Sequence, residues 1–390
     1  MFGLPRAVWL LGWVSLATDA ATESVYPLLP FFLTNVLGAG AVALGVIEGA
    51  AEAVNSLLKV LSGRRADKSR SKRPLVLLGY GVSSAAKPFI ALATQPIQVF
   101  VVRVLDRFGK GVRSSPRDAM LASWATPETR GRVYGVHQAM DNLGAVVGPV
   151  LATVFLLAYP GRYRTLFALT IIPGAISVLL ILLIPEREDT VRPRADTSNH
   201  NTSVASSVSQ MDTLPPQFAR FMVILTIFAL GNSTDAFLLL RLTDAAGSAK
   251  FVPLMWAGIH VVKSAVSFIS GGWSDRIGRR AVISTGWIVY AIVYAGFAMS
   301  TTLTALLSWF IVYGFYFGFA EGTEKALVAD LAPPSRRGTA FGIYNAIVGF
   351  GALLASVVFG VLWTSFGATV AFGTGAALAF VATALLFVAL

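Results

Sequence analysis

The sequence has no cysteine, only three histidines, and charged side chains at 13% of its 390 positions. Each shortage excludes something. Without Cys there is no disulfide, no thiolate metal centre and no thiol nucleophile. The sparse histidines never fall at H-x-x-x-H or H-x-x-E-H spacing, so specific metal coordination lacks its ligands. Neither a Walker A lysine loop nor a G-x-S-x-G elbow occurs, which removes ATP-driven transport and serine hydrolysis; no cofactor is expected. A soluble chain would carry about a quarter charged residues. Here 55% of residues are hydrophobic, and the mean hydropathy is +0.69.

What is present is a series of long apolar runs separated by short loops, the pattern of an all-α polytopic membrane protein. Segmentation at Gly, Pro and charge clusters predicts twelve spans: roughly 7–35, 41–62, 74–94, 97–117, 131–158, 163–185, 218–243, 251–271, 280–300, 304–326, 337–363 and 366–389. The first run holds Asp19 and Glu23 and is too long for a signal-peptide core, so it is expected to be a span. The net charge of +11 could suggest nucleic acid, but Lys and Arg concentrate in every second loop. That alternation predicts an inner-membrane protein with both termini cytoplasmic, lipid as its surroundings and no nucleic-acid partner. Residues 186–217 are polar, Ser-rich and Pro-bounded, and read as a flexible cytoplasmic linker between segments 1–185 and 218–390.

The two segments repeat one another. Ser62–Arg73 and Ser270–Arg280 each place one Asp, Asp67 or Asp275, in a basic loop after a small-residue helix end. Pro127, Arg130, Gly131, Gly135 and Gly144 recur at Pro334, Arg337, Gly338, Gly342 and Gly351, all at one offset of 207. Thr18-Asp19-Ala20 recurs as Thr234-Asp235-Ala236. Internal repeats of this kind frame secondary transporters, with the binding site near the midplane between them.

Ionisable residues inside the spans are costly and therefore informative. In span 4, Arg103, Asp106, Arg107, Lys110, Arg113 and Arg117 recur at steps that favour one face. Span 2 carries Glu48, Glu52, Asn55 and Lys59; span 1 carries Ser15, Asp19, Glu23 and Tyr26; span 5 carries His137 and Asp141 on the stripe of Gly144 and Gly148; span 3 adds Lys87. The second segment is sparser, with Asp235 and Arg241, then His260 and Lys263, then Glu321, Glu324 and Lys325. Four stripes in the first segment predict a charged cavity wall, with proton coupling by Asp19, Glu23, Asp141 and His137. Under the repeat, Glu52 matches His260 and Asn55 matches Lys263, which suggests pairing across the cavity. Asp19 and Glu23 equally suit ion pairs with Arg103 or Arg107 that hold the bundle together, and His137 suits an ordinary interfacial residue.

Gly63…Asp67…Arg70 and Gly271…Asp275-Arg276…Gly278-Arg279 resemble the loop motifs after helices 2 and 8 of the major facilitator superfamily. The first copy has Arg70 where the second has Gly278. Arg103 with Asp106-Arg107-Phe108-Gly109-Lys110-Gly111 is similar to that family's helix 4 arginine motif, and Gly144…Gly148-Pro149 to its helix 5 exporter motif, with Ala152 and Thr153 where further glycines are usual. The resemblance covers essentially the whole chain. It implies twelve helices in two pseudo-symmetric six-helix bundles, a monomer, and alternating access in which Asp67 and its basic neighbours hold the cytoplasmic side closed. The function it implies is proton-coupled efflux of a small molecule; a transporter of an organic anion or metal chelate, and a non-transporting sensor, are the alternatives.

Overall fold

Helix boundaries follow local chemistry. Pro74, Pro96 and Pro216 sit in first turns, where a missing N–H costs nothing, and Gln95 with Gln98 forms a reciprocal cap. The structure, a computed structural model, describes residues 3–29, 32–38, 41–185, 214–246 and 252–389. The helices are α1 (Arg6–Glu23), α2 (Ala41–Asp67), α3 (Arg73–Ala86), α4 (Pro96–Ser123), α5 (Arg130–Ala158), α6a (Tyr163–Leu169), α6b (Ile171–Leu182), α7a (Pro216–Gly231), α7b (Ala236–Ala246), α8 (Val252–Ile277), α9 (Arg279–Met299), α10 (Leu303–Leu331), α11 (Arg337–Phe366) and α12 (Ala368–Ala389). The expected linker lies outside the described residues except for 214–217.

Seven helical stretches among the described residues are long and apolar enough to cross a membrane on composition alone. α2, α4 and α8 are not among them. They are long enough, at 27, 28 and 26 residues, but carry the buried charges and the basic ends. Several helices run past the expected ends at 62, 117, 271 and 326, reaching Asp67, Ser123, Ile277 and Leu331. The α2 and α8 extensions carry Arg64, Arg65 and Arg276 as helix rather than loop.

Span 3 passes from α3 into a 3₁₀ stretch at Lys87–Leu92 and span 6 is parted at Thr170, while spans 1 and 7 break more fully. α1 stops at Glu23, and the chain continues through a 3₁₀ turn at Tyr26–Leu28 and a π turn at Phe32–Val36. Span 7 breaks at residues 232–235, where short polar side chains compete with helical hydrogen bonding. The break is satisfied by protein rather than lipid: Asn232 donates to the Tyr316 hydroxyl (2.9 Å), Ser233 pairs with Tyr294 (3.1 Å), the Thr234 N–H donates to Ser356 Oγ (3.0 Å), and Tyr313 donates to Asp235 (2.8 Å). Irregular backbone at membrane depth survives only when buried in this way.

Within the first segment, α4 packs on α2 and α3, and α1 packs on α5; within the second, α9 packs on α10 and α12, and α8 on α10. Two seams join the segments, α5 to α8 and α2 to α11. Glycine sets their closeness. A Cβ on Gly63 would lie 2.2 Å from the Gly338 carbonyl oxygen, and one on Gly271 would lie 2.4 Å from that of Gly131. The helix 4 motif does the same inside the first segment: Gly109 abuts the Gly79 carbonyl of α3, and Gly111 abuts Asn55 and Leu58 of α2.

Gly63→Val should therefore part the α2–α11 seam at a cost of about 1–3 kcal/mol. Because the chain is cysteine-free, spin labels on introduced cysteines at Ser69 and Ser335 carry no background. Their distance distribution should shift to longer values in the variant, and an unchanged distribution would show that the seam does not depend on this contact.

Candidate functional site

The inner part of the α4 stripe faces a cavity of about 270 Å³ between the segments. Lys110, Arg113 and Arg117 line it together with Lys59 of α2, Asp19 of α1 and Asp141 of α5. The facing wall comes from α7a, α10 and α11 and is mostly aromatic or apolar, with Leu225, Phe228, Tyr316, Phe317, Tyr344 and Val348 among its residues. Glu321, Glu324 and Lys325 of α10 complete the charged set.

The acidic corner exists because two glycines let α5 approach α1. Cβ atoms on Gly144 and Gly148 would lie 2.4 Å from the carbonyl oxygens of Leu16 and Ala20. That approach brings the Asp19 carboxyl within hydrogen-bonding reach of Asp141, which also accepts from the Ser15 hydroxyl. His137, one turn away on α5, is buried; its Nε2 has no partner among the described residues, and it does not bond Asp141. Among the described residues Glu23 makes no ion pair within 4 Å, and its Oε2 has no hydrogen-bond partner.

The rest of the α4 stripe is used elsewhere. Arg103 and Asp106, with Lys87 and Tyr26, line a small separate pocket between α1, α3 and α4. Asp106 accepts Lys87 (3.2 Å), Arg103 (3.4 Å) and the Ser83 hydroxyl (2.5 Å). Buried charges are tolerated when paired and hydrogen-bonded; here one carboxylate serves two cations, and Arg103 also lies over the Tyr26 ring (5.5 Å). Arg107 reaches Glu52 instead (3.9 Å). Arg103, Asp106, Lys87, Arg107 and Glu52 therefore do not line the central cavity, contrary to expectation. The side chain of Glu48 is outside the described residues.

The second segment departs from expectation in the same way. Lys263 pairs with Asp235 (3.5 Å) and lies over the Phe317 ring at 3.5 Å, while His260 pairs with Asn142 of α5 (3.1 Å). None of these three lines the central cavity, and Glu52 and His260 do not pair across it. Of the expected cavity residues, Lys110 and Glu321 do line it. Glu324 is held by two neutral donors, Trp287 Nε1 (2.8 Å) and the Tyr344 hydroxyl (2.9 Å). Lys325 bridges the segments by donating to Gln138 of α5 (3.2 Å) as well as to Glu321 (3.4 Å). Tyr344 and Phe228 went unrecognised in the sequence. The 207-residue offset was the available signal for Tyr344, since it maps His137 onto that residue and Asp141 onto Val348.

Below the cavity, on the side of the basic loops, each motif carboxylate caps a helix of the other segment. Asp67 accepts the N–H groups of Gly338 (2.6 Å) and Thr339 (2.7 Å) at the start of α11. Asp275 accepts those of Gly131 (2.9 Å) and Arg132 (2.8 Å) at the start of α5. These otherwise orphaned donors sit at the positive end of a helix dipole, where a carboxylate is stabilising. The two caps are not equivalent. Arg279 clasps Asp275 (2.5 Å) and Asp330 (3.0 Å), and Arg130 also reaches Asp330 (2.5 Å). At the 207 offset the first segment has Ser123 in place of Asp330. The single residue Gly278, at φ +94°, links α8 to α9, whereas residues 68–72 link α2 to α3. Arg70 and Arg276 are exposed beside these caps.

The chain is similar to known proteins in sequence and fold. The family model described as Major Facilitator Superfamily matches residues 9–262 and 221–390. An uncharacterized MFS-type transporter of Methanocaldococcus jannaschii, MJ1317, is 31% identical over 92% of this chain and 89% of its own length. The multidrug resistance protein MdtH of Cronobacter sakazakii is 24% identical over 85% and 80%. Among solved structures, the human organic anion transporter MFSD10 (TETRAN) superposes with a TM-score of 0.80 at 18% identity, covering 98% of this chain and all of its own. The Escherichia coli fucose:proton symporter FucP gives 0.75 at 14% identity, with 98% of each chain covered. With its repeated halves, capped seams and central cavity, this chain belongs to the major facilitator superfamily of multi-pass membrane transporters.

Proposed function

We propose that the chain exports a small molecule across the cytoplasmic membrane in exchange for protons, by alternating access of the central cavity. The observation that carries the coupling is the carboxyl pair Asp19–Asp141 at the cavity wall. Two carboxyls in one corner of a cavity disfavour double ionisation, so in this reading the corner takes up and gives back one proton. Loss of that proton places a second negative charge in the corner beside Lys110 and Arg117, so the charge of the site changes by one as a proton enters or leaves. The likeness to multidrug resistance proteins named MdtH supports the direction of transport. The Gly144–Gly148 approach supports coupling between α1 and α5, since it is the contact that forms the pair.

In this reading the two caps hold the cytoplasmic side shut, and the residues around them are a gate. Each cap contributes about 0.3–1 kcal/mol, and up to about 2 kcal/mol where partly buried. The Asp275 side has the added Arg279–Asp330–Arg130 clasp, so its loss releases more.

Two outcomes test this reading. In proteoliposomes with an imposed pH gradient, Asp141→Asn should abolish gradient-driven flux while leaving counterflow, which needs no net proton movement; gradient-driven flux at the wild-type rate would remove the pair from coupling. Asp67→Asn and Asp275→Asn should both express and fold yet transport more slowly, with Asp275→Asn the slower by several-fold. Wild-type rates in both would sink the gating role, and a slower Asp67→Asn would reverse the order of the two clasps.

A further inference from the structure

The cavity's four carboxylates are all engaged. Asp19 and Asp141 hold each other, with Ser15 on Asp141; Glu321 holds Lys325; Glu324 accepts Trp287 and Tyr344. Two of the cavity's five cations are engaged as well, Arg117 by Asp118 (2.9 Å) and Lys325 by Glu321 and Gln138. Lys59, Lys110 and Arg113 are left. None of these three makes an ion pair within 4 Å among the described residues. Arg113 is only 4% exposed, and its Nε and Nη1 have no hydrogen-bond partner. Its guanidinium carbon lies 4.2 Å from the Tyr80 ring centroid, a cation–π contact that is no ion pair.

We propose that this cavity takes a small amphipathic organic anion, its carboxylate or equivalent head on Lys59, Lys110 and Arg113 and its apolar body against Leu225, Phe228, Tyr316 and Phe317. The proposal rests on the transport reading above and names its substrate class. Arg113 is a buried cation without an ion-pair partner, a destabilising arrangement that an anionic ligand relieves on arrival, and the half-buried Lys59 and Lys110 add positive charge beside it. Charged head and apolar body belong on opposite walls, because the cations come from α2 and α4 and the apolar surface from α7a and α10. Arg113 keeps its charge at any ordinary pH and has N–H donors without partners to offer an anionic head. A lipophilic cation of the same shape would meet Lys59, Lys110 and Arg113, which no carboxylate pairs within 4 Å among the described residues, so the wall these three form repels it.

The test uses the full chain in nanodiscs and three probes of nearly one shape: 2-naphthoate, 2-naphthamide and 2-naphthylmethylammonium, titrated by calorimetry. Naphthoate should bind at least about tenfold tighter than naphthamide, as expected for a hydrogen bond to a charged group, and the ammonium probe should bind weakest. In Lys110→Met and in Arg113→Gln the ratio of naphthoate to naphthamide affinity should fall by at least about tenfold. Should Arg113→Gln fail to fold, Lys110→Met and Lys59→Met carry the comparison. Absence of saturable naphthoate binding, ammonium or amide binding as tight as naphthoate, or an intact preference in the Lys59→Met, Lys110→Met double variant would each overturn the proposal. Proton flux in liposomes separates the two readings. Naphthoate binding without proton movement defeats antiport and leaves the anion site standing; proton movement driven by the ammonium probe alone does the reverse.

Discussion

Two carboxylates, each accepting a pair of backbone N–H groups from a helix in the opposite half, fix the conformation described here. Asp67 on α11 and Asp275 on α5 turn the ends of α2 and α8 into caps for helices they do not precede in sequence. The bonds are short and charge-assisted, and they form only because Gly63, Gly131, Gly271 and Gly338 let backbones touch. Everything above them depends on that contact: the seams meet, and the α5 face carrying Asp141 is held beside α1 and α8.

The same constraint, close backbone approach in exchange for positioned charge, recurs one level deeper. Gly144 and Gly148 draw α5 onto α1 and create the acidic pair; Gly109 and Gly111 draw α4 onto α3 and α2 and set the cations in place. In lipid no hydrophobic force favours helix association, so small residues and buried polar contacts do that work. The charges in this cavity are therefore not inserted into a finished bundle. The glycine contacts that assemble the helices are adjacent in sequence to the charged groups they position.

Much of this was legible in the residues. Apolar runs gave most helices, and the 207 offset gave the repeat, because both are properties of sequence spacing alone. Partner choice was not legible. Arg103 could have met Asp19, Glu23 or Asp106, and only packing decides that α3 brings Lys87 to join it on Asp106. The break in α7 was masked by the apolar runs flanking Asn232–Asp235, and its stability comes from tyrosines and a serine on α9, α10 and α11, far away in sequence. The repeat also misleads where the halves have diverged: Asp19 lies inside a continuous helix, whereas its counterpart Asp235 lies at a break and pairs with Lys263.

The unequal clasps bear on the order of events. A joint held by two fastenings of different strength does not open evenly; it yields at the weaker and turns about the stronger. The α2–α11 seam, with Ser123 where the other side has an anchoring aspartate, is the weaker. The α5–α8 seam, braced by Arg279 and further bonded through Ser264 to the Ala139 carbonyl (2.7 Å) and through His260 to Asn142, is then the axle. In the proposed transport reading, an axle at α5–α8 would keep Asp141 near the pivot while Lys59, on the far side of the same segment at α2, travels furthest. Simultaneous distance traces across both seams, with the α2–α11 pair lengthening first, are the signature of such a motion; simultaneous lengthening would mean the frame moves as its repeat symmetry suggests.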